Sequence, residues 1–188
     1  MVTFHENSHT HANTNNNHVL SKAMFVDRPF TEGIPLLIEC LKTNGIFLVV
    51  ENNPITVGWV NIGMIWSKPM ITVMVRKQRH THALMEKASH FSLCLPHKNW
   101  MTEQLELCGT HSGKNLNKIK EFHLKSAPGY LAGNTILTDC NWFYEAEIVH
   151  KNEIDPKTLS SSIKNQFYFS NDYHTVYYGE IKHSYKKD

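Results

Sequence analysis

The chain lacks most of the signatures that would fix a function outright. No apolar run approaches the roughly 20 residues that cross a bilayer. The first residues are polar rather than basic and then apolar, so neither a membrane span nor a signal peptide is expected. Its four cysteines, Cys40, Cys94, Cys108 and Cys140, are far apart and form no CxxC pair. That spacing excludes a clustered zinc site and predicts buried apolar thiols in a reducing, cytoplasmic compartment. Charge of one sign is scarce too: 19 Lys+Arg against 17 Asp+Glu give a net +2. Nucleic acids and membrane surfaces reward large, clustered positive charge, so neither is an expected partner. HExxH, GxSxG and a strand-linked GxGxxG are all missing, which argues against zincins, nucleophile-elbow hydrolases and Rossmann folds. Cys108–Asn115 falls short of a phosphate loop, because three residues rather than four separate its glycines and Asn115 follows the lysine. No pattern marks a catalytic acid, base or nucleophile.

What remains is a chain of 188 residues, enough for one domain that buries roughly 70% of its unfolded surface without disulfide or metal staples. Residues 1–22 are rich in Asn, His and Thr. They carry too little apolar surface to offset the entropy of ordering, so a mobile tail is expected there and a single domain over 23–188. The tail's His5, His9, His11 and His18 read as a solvated arm rather than a metal site.

Periodicity predicts a helix over Ile34–Leu41, stopped at Asn44-Gly45, and a buried strand over Ile46–Val50. A turn is expected at Asn52-Asn53-Pro54, then strands over Ile55–Ile62 and Met70–Val75. Short helices follow at Thr81–Ala88, Trp100–Leu107 and Leu116–Phe122, with strands at Phe91–Leu95, Trp142–His150 and Thr175–His183. Lys151–Tyr173 reads as a long loop with one helical turn, the kind of segment that often carries function. Strands outnumber helices and no regular βαβ alternation appears. A mainly β fold follows, an antiparallel barrel or sandwich with short helical insertions.

Three features carry chemistry. Arginine occurs only at 28, 76 and 79, against sixteen lysines, and two of the three fall in Val75–His82. A guanidinium at a strand end and helix start suits a phosphate, with Thr81 as helix cap or hydroxyl donor. A basic surface turn with ordinary salt bridges is the other reading. His80 and His82 read as a surface pair, since no third metal ligand has a fitting spacing. Ser112–Lys118 combines a glycine and a hydroxyl with Lys114 and Lys118 one helical turn apart, which suits either an anion or a solvated helix start. Asn53–Pro69 holds Trp59, Trp66, Gly58 and Gly63 in a strand–loop–strand, either a wall for a planar ligand or an aromatic core hairpin.

The stretch TVGWVNIGMIWSKPMITVMVRKQRHTHALMEKASHFSL resembles the central segment of the flavin reductase-like, FMN-binding split-barrel family, most closely its flavoredoxin branch. CGTHSGKNLNK and DYHTVYYGEI extend the resemblance, in the family's order, over residues 33–183. It implies a Greek-key split β-barrel, a homodimer, and one FMN per subunit near the interface. By position, Asn53, Thr56 and Trp59 would lie along the flavin, Arg79, Thr81 and Lys118 would hold its phosphate, and His174 would come close to the cofactor. Arg76 would be structural or support the phosphate site. Asn117 stands where the family has Asp before the lysine, and Lys77-Gln78 where Pro-Ser is commoner.

The same resemblance implies hydride transfer from NADH or NADPH to the flavin and passage of electrons to another flavin or a redox protein acceptor. The ring would do the redox chemistry while the protein binds and orients it. His174 would supply a proton or a hydrogen bond. A flavin electron carrier reduced by a partner protein, without its own nicotinamide activity, is the alternative, because no NAD(P)H motif is recognisable. A cofactor-free binding module on the same barrel is a third reading.

Overall fold

The structure is a computed structural model that describes residues 24–188; the tail predicted over 1–22 lies outside the described residues. Strand β1 (Phe25–Asp27) and a short 3-10 turn lead into helix α1 (Ile34–Leu41). Strands β2 (Ile46–Val50), β3 (Asn53–Val57), β4 (Val60–Ile65) and β5 (Lys68–Arg76) follow, then α2 (His80–Met85) and β6 (His90–Leu95). Helices α3 (Thr102–Thr110) and α4 (Lys118–Glu121) precede a small ribbon of β7 (Ser126–Pro128) and β8 (Thr135–Leu137). The long strands β9 (Trp142–Glu153) and β10 (His174–Lys187) flank helix α5 (Ser161–Phe167).

The main sheet runs β3-β2-β6-β9-β10-β5-β4, with β1 added on β10, and each of its pairings is antiparallel. Its outermost strands, β3 and β4, are joined by Gly58 and Trp59 alone. Seven strands laid flat would hold these ends about 29 Å apart, yet this link spans at most about 11 Å. The sheet therefore curls until its ends meet, which makes the architecture a barrel split along the β3–β4 seam. The bend is eased in the two longest strands, where the β9–β10 register shifts at Tyr178/Gly179 and Ile181/His183. Gly179 sits at the first shift because a Cβ there would lie 2.7 Å from Phe91 and 2.8 Å from Ala146.

Two apolar clusters fill the fold, and β2 divides them. Ile46, Leu48 and Val50 face the barrel interior with Ile71, Val73, Leu93, Tyr144 and Tyr177. Phe47 and Val49 face outward, under α3 and α4, with Leu105, Phe122 and Phe143. Both faces of β2 are covered, which is why its sequence is an unbroken apolar run rather than an alternation. All four cysteines are free and buried, as their spacing predicts.

Several boundaries depart from the sequence reading. The segment 55–62 is two strands, not one, because the chain crosses the seam at Gly58-Trp59. The turn falls on Glu51-Asn52, both with positive φ (47° and 62°), so Asn53 and Pro54 belong to β3. Trp66-Ser67 repeats this geometry between β4 and β5, at 54° and 57°. Both are two-residue turns of the kind that matches strand twist. Leu116–Phe122 shrinks to the single turn Lys118–Glu121, and Thr81–Ala88 becomes His80–Met85. Lys151–Tyr173 is no plain loop: β9 extends to Glu153, and a seven-residue helix follows, capped where the Ser160 hydroxyl accepts from the Ile163 N–H.

One buried charge ties the ribbon to the barrel. Glu145 on β9 is fully buried and accepts from the Tyr185 hydroxyl (2.6 Å), the Tyr130 and Leu131 N–H groups (2.7 and 2.9 Å) and the Asn134 amide (2.9 Å). Glu145→Gln replaces an acceptor-only carboxylate with a group that offers donors to donors. It is expected to cost about 3 kcal/mol, read as a lower urea midpoint at unchanged slope; an unchanged midpoint would contradict this assignment.

Candidate functional site

The seam gathers six of the seven predicted site residues around two adjoining cavities. One, of about 190 Å³, is lined by Thr56, Gly58, Trp59, Arg76, Arg79 and His174 among others. The other, of about 210 Å³, takes in Arg79, Thr81, Ser112, Gly113 and Lys118. Arg79 and Ile55 line both. Asn53 lines neither and works from beneath: its side-chain amide donates to the Thr81 hydroxyl at 3.0 Å. Thr81 is only 1% exposed. It lies inside α2 rather than capping it, since Arg79 holds the N-cap position and makes no side-chain capping bond.

The second cavity is rich in groups that suit an anion. Arg79 follows the end of β5, and its Nη1 donates to the Gly109 carbonyl at 3.1 Å, which draws the α3 terminus toward the β5–α2 turn. Gly113 approaches Asn53 so closely that a Cβ there would lie 1.8 Å from Oδ1. Ser112–Gly113 can pass against β3 only because that position has no side chain.

Lys118 is 3% exposed, and its ammonium donates to the Pro54 carbonyl (3.0 Å) and the Cys108 carbonyl (2.8 Å). Burial, with Arg79 nearby, lowers its pKa from the usual lysine value. Two of its three donors are thus spent on joining β3 to α3, and one remains for a ligand. Asn117, in place of the family's Asp, caps α4 by accepting from the Lys120 N–H at 3.1 Å. The departure keeps the acceptor that the cap needs.

The first cavity has aromatic walls. Trp59 is partly exposed on the seam, with its ring 4.6 Å from His174 and edge-on to Phe167 at 5.2 Å. Trp66 is not part of this wall. It sits in the β4–β5 turn beside His150 and Tyr178. Thr56 lines the cavity, but its hydroxyl donates to the Leu105 carbonyl. His82, on α2, bonds Thr175 at 3.0 Å. Among the described residues no cluster of His, Cys, Asp or Glu could hold a metal. None of the described helices is long and apolar enough to cross a membrane.

Sequence reasoning missed Phe167 and Tyr168, which pack against Trp59 and His174 of this cavity. His174, at the start of β10, is paired in register with Arg76 at the end of β5. Its Nδ1 is 2.9 Å from the Tyr168 hydroxyl. Arg76 donates to the carbonyls of Asp172 (2.6 Å) and Phe167 (2.9 Å), and its guanidinium lies 5.3 Å from the Tyr168 ring centre. Arg76 therefore holds the strap 167–172 in place rather than facing a phosphate alone. Nothing in the local pattern of Phe167–Asp172 announces this, apart from the run of aromatics.

Burial above all, with Arg76 and Arg79 adding to it and Asp172 opposing, brings the pKa of His174 down from 6.5 to about 4. The folded protein keeps this imidazole neutral at pH values where the unfolded chain protonates it. Stability from His174 is therefore complete above about pH 6.5 and drains away as the pH falls toward 4. Wild-type protein should lose of order 3 kcal/mol more than His174→Gln over that interval, measured by urea unfolding. Parallel pH profiles for the two proteins would refute the shift.

Comparison with known proteins bears on the fold and the family. Among curated protein sequences none matches significantly. Flavoredoxin from Methanosarcina acetivorans superposes with a TM-score of 0.60 at 21% identity, over 76% of this chain and 68% of that one. The FMN-binding protein from Thermus thermophilus, solved with p-hydroxybenzaldehyde, gives 0.59 at 19% identity, over 76% and 71%. The NADH:FAD oxidoreductase from Streptomyces globisporus gives 0.58 at 14% identity, over 76% of each chain. At such identities these likenesses establish the fold, a flavin reductase-like split barrel. The sequence pattern of the flavin reductase like domain matches residues 43–188, most of the chain, and the protein belongs to that family.

Proposed function

We propose that the protein binds FMN across the two adjoining cavities and works as an oxidoreductase of the NAD(P)H:flavin reductase type, passing electrons from a nicotinamide to free flavin or a redox protein acceptor. The observation that carries this reading is the shared arginine. Arg79 stands between a cavity with aromatic walls and one lined by a hydroxyl, a glycine turn and an ammonium. A ligand with a planar ring at one end and an anion at the other fits that division of chemistry. Arg79, Thr81 and Lys118 would hold the phosphate, with Asn53 fixing Thr81. Trp59, Thr56 and His174 would lie along the ring. When bound, the flavin supplies reversible hydride and electron acceptance. The chain's own residues bind it, orient it and exclude water from one side.

A flavin electron carrier reduced by a partner protein is the second reading. It is favoured by the sequence, which carries no recognisable NAD(P)H-binding motif. The same proposal takes the chain as a homodimer with the cofactor near the subunit interface, and sedimentation equilibrium reads one chain mass or two.

Protein supplied with FMN is expected to turn yellow and to bleach anaerobically with NADH or NADPH. Bound FMN that neither nicotinamide bleaches would leave the carrier reading standing and remove the reductase. Arg79→Ala should weaken FMN binding by about 1.5–3 kcal/mol, a rise of roughly 10- to 150-fold in Kd, with little loss of stability. Lys118→Met should cost about 2–4 kcal/mol of stability as well, because it orphans two buried carbonyls. If FMN affinity is unchanged in Arg79→Ala, the phosphate has been put in the wrong cavity.

A further inference from the structure

The ring nitrogens of His174 meet two different surroundings. Nδ1 is 2.9 Å from the Tyr168 hydroxyl. Nε2 has no protein partner among the described residues, and it is not among the sealed, unpaired polar atoms of the interior. His174 itself lines the ring cavity. The bond at Nδ1 can run either way, so the proton count on Tyr168 decides it. Tyr168 is 2% exposed, and its hydroxyl has no described partner other than this nitrogen. If Nδ1 carried the proton and donated, the tyrosine hydrogen would be left in the interior without an acceptor, a loss worth avoiding by the cost of an unmade buried bond. If the tyrosine donates, both groups are satisfied and the imidazole proton must sit on Nε2.

We propose that Tyr168 is a positioning residue: it locks His174 as the Nε2–H tautomer and so presents a fixed hydrogen-bond donor to whatever occupies the ring cavity. Tyr168 is itself held. Its ring stacks on Tyr173 at 4.9 Å, the Arg76 guanidinium lies against it, and Arg76 ties the strap at both ends through the carbonyls of Phe167 and Asp172. Trp59 packs on the imidazole at 4.6 Å and restrains its rotation. The lowered pKa of His174 agrees with a neutral ring.

The ligand chemistry this donor selects is an acceptor atom on the edge of a planar ring, such as a carbonyl oxygen or an unprotonated ring nitrogen. A neutral imidazole N–H polarises such an atom without giving up its proton. On the reading that the cavity holds a flavin, His174 is then a hydrogen-bond donor to the ring and not its proton source. The tautomer itself does not depend on that reading.

The test is long-range ¹H–¹⁵N correlation NMR on the full chain as purified, at neutral pH, with His174→Gln used to assign the His174 signals. Wild-type protein is expected to show Nδ1 as an unprotonated, pyridine-type nitrogen and Nε2 as a protonated, pyrrole-type one. Tyr168→Phe removes one oxygen and keeps the ring that packs on Arg76 and Tyr173, so it should fold with a near-native melting temperature. In it the two nitrogens should move toward each other as the tautomers mix. Arg76→Gln, which frees the strap while leaving the hydroxyl in place, should shift them the same way by a smaller amount. A protonated Nδ1 in the wild type, or unchanged ring-nitrogen shifts in Tyr168→Phe, overturns the assignment. Failure to bind FMN leaves it intact, since the spectrum is read without the cofactor.

Discussion

Everything at the candidate site follows from the closure of the sheet at Gly58-Trp59. Two residues cannot bridge the ends of a flat seven-stranded sheet, so the strands must curl, and the seam where they meet is the place at which backbone pairing stops. β3 and β4 diverge there, and the space between them is filled by side chains and cavities rather than by a ladder of hydrogen bonds. Trp59 stands in the seam, Thr56 comes up β3, and β5 delivers Arg76 and Arg79 to the same end. β10 starts beside β5 and brings His174 opposite Arg76. A barrel that closed fully would have no such opening.

The opening keeps its shape through polar side chains as well as apolar packing: Lys118 and Asn53 are buried, Arg76 is half-buried and Arg79 is exposed. Lys118 spends two donors on carbonyls of β3 and α3, and Asn53 spends its amide on Thr81. Arg79 holds the last turn of α3, and Arg76 holds the strap 167–172 beside Trp59 and His174. Each of these bonds links segments at least 10 residues apart in the chain. An apolar core of about the right volume tolerates small shifts, whereas a hydrogen bond weakens steeply once its distance and angle leave a narrow range, and an unmade one costs most where it is buried. Such bonds set the relative placement of the cavity walls more tightly than packing would.

Much of the fold was legible because its signals are local. The unbroken apolar run Ile46–Val50 announces a strand covered on both faces, and Gly45, with φ of 81°, ends α1 where the sequence places a stop. The turns were read less well. Non-glycine pairs, Glu51-Asn52 and Trp66-Ser67, adopt positive φ that only the twist of the flanking strands enforces. The break at Gly58-Trp59 was invisible for a related reason: the apolar pattern continues across it, and only the closing of the sheet parts the two strands. The helix after β9 was underestimated because it buries no residue and so lacks an apolar stripe.

By itself the sequence determined the fold class, the family and the residue types that cluster at the site, since these depend on composition, spacing and motifs that survive without knowledge of distance. Tertiary structure alone decided how those residues divide their work. Lys118 is as much a strut as a charge, Thr56 gives its hydroxyl to a helix, and Trp66 lies in a turn away from the cavity. Tyr168, which no motif marks, controls the proton on His174. The physical reason is that a side chain's role depends on how many of its donors and acceptors the fold has already used. Those partners lie tens of residues away in the chain, where periodicity and spacing carry no information.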